Sequence, residues 1–479
     1  MPTRTKVEPK KAVAPTPAAP PVLPQSHNSP VADRMAQGKA LRDRCSRKSH
    51  AAWKPPAKRA DPIELLIENS RGRLEDLVPI RYGRMMANPF AFYRGAAAIM
   101  ASDLSHTPAT GLMVQACGDC HLVNFGGFAT AERKIIFDIN DFDETSIAPW
   151  EWDVKRLTTS FVVAGRSNGF SAADCQETAR QVAESYRMKL AEYSQKPVLE
   201  VWYDSFDFDQ IIHNLPDKQM RKFYLKKLDA AAEQRAHEKE FAKLAFASGE
   251  TPRIIDQPPL IYHITGVDEA QQRAQWEASL ADYLKSLPSE RRVLLDRYKL
   301  TDAAIKVVGV GSVGTFCGIA LLMSGKGDPL FLQFKQARQS VLEPYAGASP
   351  FTHAGQRVVV GQRLMQAASD MFLGWYTGQG REARQFYVRQ LADAKIKPVI
   401  EIMKPQNLLN YAQLCGWALA RAHARSGDAA VLSGYLGTST AFEDAIVTFS
   451  EAYADQNERD HAALVAAVRA GKVEARQVE

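Results

Sequence analysis

The chain has 479 residues, 46% of them hydrophobic and 24% charged, and no apolar run approaches the ~18 residues that a membrane span needs. This composition excludes disordered, fibrous and membrane-spanning proteins and predicts a soluble globular protein. The length fits about three units, or one elaborated enzyme fold with a large buried core.

The net positive charge of the chain is concentrated in residues 1–60. This segment carries 13 Lys and Arg against 3 Asp and Glu, whereas the rest of the chain carries 47 against 51. It also holds 10 of the 26 prolines and few large apolar residues, which predicts a disordered basic tail. Such a tail can contact nucleic acid or membrane phosphates, but a solvated leader is the commoner case, and no other contact with nucleic acid is expected.

The cytoplasm is the expected compartment. Prolines interrupt the apolar residues near the N-terminus before the core of a secretory signal can form. The 6 cysteines are too sparse for a disulfide scaffold, so reduced and mostly structural thiols are expected.

Helical and β-like patterns alternate in the first 300 residues. Apolar residues at helical spacing predict a helical segment over 61–79, ending near the proline. Two β-like runs, 112–116 and 134–137, predict two strands separated by loops. Residues 171–300 have helical periodicity and many charges, with one break near 249–252, which predicts a helical region that could be an insertion.

A second β-like region lies at 304–337, where Gly-Lys-Gly-Asp at 325–328 predicts a hairpin turn. Further strand-like runs occur at 357–360 and 386–391, and helical patterns dominate from Asn407 onward. The predicted class is therefore α+β, with a small antiparallel sheet late in the chain. The predicted parts are the disordered tail (1–60), a lobe carrying the catalytic and metal loops (61–300), a small-sheet lobe (301–400) and helices that complete the large lobe (401–479).

Two loops carry residue types suited to phosphate chemistry. Asp119 and Asn124 lie in a loop after the first β-like run, where they can present a carboxylate to a substrate hydroxyl and an amide oxygen to a metal. The second run ends near Asp141 and Asp143, which supply the hard oxygen ligands that Mg²⁺ prefers when it bridges phosphates. The two loops predict one metal and phosphate site, with Asn124 and Asp141 as metal ligands and Asp143 as a further candidate.

These loops resemble those of a known enzyme group. The pattern G-D-x-H-x-x-N at 118–124, followed by D-F-D at 141–143, is similar to the catalytic and metal loops of the aminoglycoside and choline phosphotransferases, which have the protein-kinase-like fold. The resemblance implies two lobes, ATP and Mg²⁺ as cofactors, and Asp119 as the residue that orients or deprotonates an acceptor hydroxyl. Asp153 resembles the aspartate that braces the catalytic loop from behind in that group.

A glycine motif, G-x-G-x-x-G at 309–314, follows another β-like run. A dinucleotide-binding oxidoreductase would require a helix directly after Gly314, whereas the sequence there predicts a hairpin. A kinase-like glycine loop instead requires a following pair of strands, the second bearing a lysine, which Lys335 satisfies. The residues expected to bind nucleotide phosphates are Gly309, Gly311, Ser312, Gly314 and Lys335.

The resemblance also implies a circular permutation, because the phosphotransferases have their glycine loop before the catalytic loop. Residues 411–423 resemble the helix that normally leads into the catalytic loop, so residues near 425 would have to lie close to the strand near 111. Kinase-like folds pair the lysine with a helix glutamate, and Glu343 is the candidate here, although it could equally cap or be solvated before its proline.

Most of the chain, roughly 40–470, is also similar to the bacterial domain-of-unknown-function 2252 family. The stretches that carry this resemblance are 79–85, 90–95, 118–126, 140–144 and 453–456. It implies no particular activity, so the functional prediction depends on the loops.

Other interpretations of the same residues remain open. Cys117-x-x-Cys120-His121 also matches a c-type haem attachment pattern, but no export signal accompanies it, and no second cysteine or histidine pair completes a zinc site. Each predicted site residue could by itself be a turn, cap or surface residue, and it is their joint occurrence that favours phosphoryl transfer. Surface ion pairing is the expected role of Arg81, Arg84 and Arg94, although they could bind an anionic substrate.

The sequence therefore predicts an ATP- and Mg²⁺-dependent phosphotransferase that binds nucleotide and a small-molecule hydroxyl acceptor of unidentified structure. The alternative is a catalytically silent nucleotide-binding or scaffold protein of the same fold. The sequence does not determine the oligomeric state.

Overall fold

The computed structural model describes residues 28–232, 241, 243–248, 251–266, 268–307, 309, 311, 313–379, 383–391 and 395–477. The helices are α1 (Val31–Arg44), α2 (Pro62–Ser70), α3 (Val78–Met85), α4 (Pro89–Gly95), α5 (Ala97–Leu104), α6 (Trp150–Ser167), α7 (Ala172–Gln195), α8 (Val198–Tyr203), α9 (Phe208–His213), α10 (Lys218–Ala232), α11 (Glu269–Lys285), α12 (Ser289–Leu295), α13 (Glu343–Ala346), α14 (Ala354–Met365), α15 (Pro405–Ser426), α16 (Ala429–Leu436) and α17 (Ala441–Arg469). The strands are β1 (Met113–Ala116), β2 (Phe125–Ala129), β3 (Ile135–Ile139), β4 (Ser146–Pro149), β5 (Phe206–Asp207), β6 (Ala245–Ser248), β7 (Thr251–Ile254), β8 (Ile261–Tyr262), β9 (Tyr298–Lys306), β10 (Cys317–Ser324), β11 (Pro329–Gln336), β12 (Gly374–Thr377) and β13 (Gln385–Gln390). The mixed helix and strand content confirms the broad α+β prediction.

A six-stranded antiparallel sheet forms the late β region, in the order β12-β13-β11-β10-β9-β8. The predicted hairpin is confirmed, because β10 and β11 pair directly and Ser324 and Asp328 hydrogen-bond across the turn between them. The predicted strand at 357–360 is wrong. These residues lie in α14, whose Val358 and Val359 are buried against the core, since a short apolar run can face a core from either a helix or a strand.

The earlier β region contains more strands than the two predicted. β1 pairs with β4, and β2 pairs with β3. The loop from β1 to β2 and the loop from β3 to β4 therefore connect the same two pairs of strands and begin and end side by side. The predicted helical segment at 61–79 is interrupted after Ser70. Pro79 does not end a helix but lies in the first turn of α3, a position that tolerates proline.

The largest hydrophobic core lies among α6, α7, α15 and α17, and the ring of Trp150 stacks on that of Tyr186 at 5.8 Å. All six cysteines are buried and none is in a disulfide, as predicted. Among the residues that the structure describes, we find no helix with both the length and the apolar character of a membrane span.

The prediction of a disordered tail over 1–60 is wrong for residues 28–60, and residues 1–27 lie outside the described part. The helix α1 packs closely on α16, because Gly38 lets the helices approach until a built Cβ would stand 1.9 Å from the carbonyl oxygen of Val431. Arg34 adds an ion pair with Asp428 at 2.9 Å. The proline-rich composition that predicted disorder ends at Pro30, just before this helix begins.

We expect Gly38→Ala to destabilise the protein by about 1–3 kcal/mol, because overpacking the contact between α1 and α16 outweighs the roughly 1 kcal/mol by which alanine favours a helix over glycine. Gly325→Ala is the matched control, since a Cβ at that turn meets nothing within 4 Å. Urea unfolding of the three proteins measures the difference, and an unchanged midpoint for Gly38→Ala would show that α1 is not docked in solution.

Candidate functional site

A polar cavity of about 170 Å³ lies between the small sheet, the loops after β1 and β3, and the helices α2 to α5. Its walls bring together six of the residues singled out in the sequence, although as many as 192 positions separate them. These are Asp119, Asn124, Asp141, Asp143, Gly309 and Gly311. Ser312 lies outside the described residues.

The loop that carries Asp119 is held from behind by Asp153 of α6, as predicted. The Asp153 carboxylate accepts hydrogen bonds from the backbone N–H of Cys117 at 2.6 Å and of Gly118 at 3.0 Å. Gly118 has a φ of +83°, and a Cβ there would stand 2.3 Å from the carbonyl oxygen of Glu144, so only glycine fits. Cys117 and Cys120 are fully buried and do not line the cavity, an environment that does not suit thiols attached to a haem.

The carboxylate of Asp119 is anchored through one oxygen. Arg156 of α6, which is 2% exposed, donates to Asp119 Oδ1 from Nε at 2.9 Å and also from Nη2. The other oxygen, Oδ2, lies 3.8 Å from His121 Nε2 and near Gly311. Burial lowers the pKa of His121 to about 3, so the imidazole is neutral at pH 7 and braces the loop rather than supplying charge.

Asn124 joins this loop to the next one. Its side-chain Nδ2 donates to the carbonyl oxygen of Asp119 at 2.8 Å, and its own carbonyl oxygen accepts from Asn140 N–H at 2.7 Å. The side-chain Oδ1 has no hydrogen-bond partner among the described residues. The amide therefore has its oxygen available on the wall of the cavity.

The two aspartates after β3 have opposite electrostatic environments. Burial raises the pKa of Asp141, and the nearby negative charge of Asp143 raises it further. For Asp143, burial is outweighed by Lys335 and by hydrogen bonds, so its pKa falls to about 2. Its two oxygens accept from Lys335 Nζ and from the hydroxyl of Tyr387, each at 2.5 Å.

Lys335 lies in a row of side chains across the small sheet, where Cys317, Lys335 and Tyr387 are directly paired on β10, β11 and β13. The lysine is 2% exposed and does not line the cavity, but it reaches the cavity wall through Asp143. Although burial opposes it, the charge of Asp143 holds the pKa of Lys335 well above the ordinary value.

The prediction that Glu343 pairs with Lys335 is wrong. Glu343 lies 3.6 Å from Arg357 of α14, accepts a hydrogen bond from Ser340 N–H at 3.1 Å, and is not on the cavity wall. Arg357 in turn donates to the carbonyl oxygen of Asp143 at 2.9 Å. Glu343 lies in the short helix α13, and its partner Arg357 lies in α14. The glutamate therefore pairs with this arginine and not with Lys335 on the sheet.

Arginines hold the carbonyl groups of the glycine loop. Arg73 donates to the carbonyl oxygens of Gly311 at 2.9 Å and Val313 at 2.7 Å, and Arg84 donates to that of Gly309. The carbonyl of Gly314 accepts from the backbone instead and lies off the cavity wall. A strand, β10, follows the loop, so the dinucleotide-binding alternative lacks its helix.

Three of the cavity-lining residues were interpreted differently from the sequence or missed. Arg81 is 1% exposed and donates to Ser70 and to the carbonyl oxygen of Gly95, so its predicted role in surface ion pairing is wrong. Arg73 had no signal in a single sequence, because it acts on the carbonyl of Gly311, 238 positions away, and Asn69 was missed because it acts through Arg73 and Arg81. Arg156 could have been found, since it lies three residues after Asp153 on the same helix face.

The donor set fits Mg²⁺ held partly by a ligand. In the described part of the chain, no three His, Cys, Asp or Glu side chains group closely enough to hold a metal ion. Mg²⁺, however, is commonly bound by one or two carboxylates together with substrate phosphates. The half-buried Asp141 carboxylate and the available oxygen of Asn124 suit that mode, whereas Lys335 and Tyr387 already occupy Asp143.

The fold and cavity define an α+β protein whose polar site lies between a small antiparallel sheet and a helical part. The chain belongs to the family described as an uncharacterized protein conserved in bacteria (DUF2252), whose model matches residues 73–467. No curated protein and no solved structure matches the chain.

The two aspartates should affect stability in opposite directions. Because folding raises the pKa of Asp141 above its ordinary value of 3.8, its ionisation costs stability at neutral pH, and Asp141→Asn should raise the unfolding midpoint of metal-free protein. This gain should shrink as the pH falls toward 3.8. Because folding lowers the pKa of Asp143 to about 2, Asp143→Asn should destabilise the protein at neutral pH, and its effect should fade as the pH falls through about 2.

Thermal unfolding in a chelating buffer at several pH values measures both effects. A destabilised Asp141→Asn protein at pH 7 would contradict the inference that ionisation of Asp141 costs stability in the folded protein.

Proposed function

We propose that the protein is an ATP- and Mg²⁺-dependent phosphotransferase that acts on a small-molecule hydroxyl acceptor. The observation that carries the proposal is the single cavity lined by Asp119, Asn124, Asp141 and the glycine loop. Phosphoryl transfer needs a residue that positions the hydroxyl, oxygen ligands for a metal, and backbone groups that cover phosphates. The residues proposed for these three roles line the same cavity.

Asp119 would position the acceptor. Both contacts from Arg156 go to Oδ1, which leaves Oδ2 to accept the hydrogen of an acceptor hydroxyl. The transition state of phosphoryl transfer is loose, so orienting the hydroxyl matters more than strong basicity. The arginine fixes the direction of the carboxylate.

Asp141 and Asn124 would hold Mg²⁺, which would bridge and neutralise nucleotide phosphates when bound. The metal would also offset the burial of an ionised Asp141. Lys335 would remain paired with Asp143. Because it does not line the cavity, its other N–H groups would reach a phosphate oxygen only once the glycine loop has withdrawn.

The order of elements in the small sheet supports a kinase-like arrangement. Gly309 to Gly314 lie between β9 and β10, Lys335 lies on β11, the next strand, and α14 follows before the last two strands. Protein kinases carry their lysine on the third strand, after the glycine loop, and follow it with a helix.

The neighbourhood of β1 supports the circular permutation. Ser426, the last residue of α15, accepts a hydrogen bond from the backbone N–H of Gln115 at 3.2 Å. The end of α15 therefore lies beside the strand that leads into the Asp119 loop. If the chain ran directly from α15 into β1, the glycine loop and Lys335 would precede the Asp119 loop, as in the phosphotransferases.

A cofactor cavity normally has a volume of about 300–1,000 Å³, so the observed cavity is too small for a nucleotide. We therefore propose that the glycine loop withdraws when ATP binds. Arg73 and Arg84 hold its carbonyl groups in this closed arrangement, and these contacts would have to change. The alternative, a catalytically silent nucleotide-binding protein, would need the same change of contacts and would bind ATP without turnover.

Nucleotide binding is the first test. Thermal unfolding of the wild type with ATP and excess Mg²⁺ should show stabilisation of about 2.7 kcal/mol at a hundredfold excess over the dissociation constant. Asp141→Asn should fold and fail to show this gain. Asp296→Asn is the matched control, because Asp296 is exposed and remote from the cavity, and it should behave as the wild type.

ADP formation with a panel of hydroxyl compounds then separates an active enzyme from a silent one. No stabilisation by millimolar ATP in the wild type, with or without Mg²⁺, would rule out both forms of the proposal.

A further inference from the structure

Charged side chains of both signs line the cavity, with a small excess of positive ones. Five cationic residues line it, and most of them are already engaged with protein groups. These five are Arg73, Arg81, Arg94, Arg338 and Lys397. The engaged ones are hydrogen-bonded to backbone carbonyls or to Asn69 and Ser70, so they support the wall of the cavity rather than face a ligand.

Arg94 and Lys397 differ from the others. Neither has a hydrogen bond or an ion pair with any residue in the part of the chain that the structure describes. Arg94 is partly buried and its Nε is shielded from solvent without an acceptor, an arrangement that costs free energy unless a ligand provides one. Lys397 is more exposed, at the edge of the same cavity.

Arg94 and Lys397 line the same cavity. Burial lowers the pKa of Arg94, and the carboxylates of Asp119 and Glu401 act against that effect. Burial lowers the pKa of Lys397; the carboxylate of Asp141 acts against this, and the positive charges of Arg389 and Arg94 add to it. An anion between them would satisfy both.

We propose that Arg94, with Lys397, binds a phosphate or carboxylate group of the acceptor, so that the acceptor is an anionic hydroxyl compound. This proposal rests on the phosphotransferase function proposed above. It differs from what resemblance to the aminoglycoside and choline phosphotransferases would suggest, because those acceptors are cations and would be repelled here.

The anion is assigned to the acceptor rather than to ATP because of position. Asp119, the residue that would receive the acceptor hydroxyl, is the first charged group acting on Arg94. The glycine loop proposed for the nucleotide phosphates also adjoins this place, because Gly311 lies beside Arg94 and Asp119, so competition with the nucleotide analogue is what separates the two assignments. An acceptor with its hydroxyl at Asp119 would place a nearby anionic group beside Arg94 and form charge-assisted hydrogen bonds with it.

The test uses full-length protein saturated with Mg²⁺ and a non-hydrolysable ATP analogue, so that the nucleotide phosphates are already in place. Two probe pairs differ only by an anionic group: glycerol 3-phosphate against glycerol, and serine against ethanolamine. At least one anionic member should raise the unfolding midpoint, and its neutral or cationic counterpart should not. Arg94→Gln should weaken that binding about tenfold or more, and Lys397→Gln less.

Arg71→Gln is the matched control, because it removes one positive charge from a side chain that is 74% exposed and outside the cavity. It should leave probe binding unchanged, and the midpoint of Arg94→Gln without ligand should be no lower than that of the wild type, because the substitution removes a shielded and unpartnered Nε. Absence of any shift with both anionic probes, or an equal shift in Arg94→Gln, would overturn the proposal. Competition between the probe and the nucleotide analogue would also overturn it, because Arg94 would then serve the nucleotide.

Failure of the proposed function gives a different result. If the nucleotide analogue itself does not bind, the proposed phosphotransferase function fails. The probe titration is then repeated without the analogue. Binding that still depends on Arg94 would then identify an anion site but overturn its acceptor role.

Discussion

The ion pair between Lys335 and Asp143 joins the two halves of the site. It links the central strand of the small sheet to the loop after β3 across 192 positions of sequence, and both groups are largely withdrawn from water. A buried ion pair contributes little net stability, but removing one partner leaves an uncompensated charge. The pair therefore fixes the register between sheet and loop, and the position of Asp141 depends on that loop.

Around this pair, the site is held mainly by interactions with backbone groups. Asp153 holds the amides of the Asp119 loop, Arg357 holds the carbonyl of Asp143, and Arg73 holds the carbonyls of the glycine loop. Charge-assisted hydrogen bonds of this kind are stronger than neutral ones and define the direction of a loop that has no regular structure of its own. They leave the side-chain oxygens of Asn124 and Asp119 facing the cavity.

The arginines come largely from the helical segment before β1, which the sequence connected only weakly to the site. Arg73, Arg81 and Arg94 lie within 22 residues of one another, yet each has a different role: one holds the glycine loop, one supports the wall, and one makes no hydrogen bond or ion pair with the described residues. Identical side-chain chemistry thus serves structure in two positions, whereas in the third we propose that it serves a ligand. Only the hydrogen-bond partners distinguish them.

The sequence by itself determined the broad fold class, the hairpin before β11, the two loops after β-like runs and the bracing role of Asp153, because these depend on local periodicity and on motifs of short spacing. It did not determine that residues 28–60 are ordered, that residues 357–360 are helical, or that Glu343 meets Arg357 instead of Lys335. Those outcomes depend on which surfaces meet after folding. A charged or apolar side chain carries no information about its distant partner until tertiary packing determines what lies opposite it, and so only the structure decided which cations of the cavity are already satisfied.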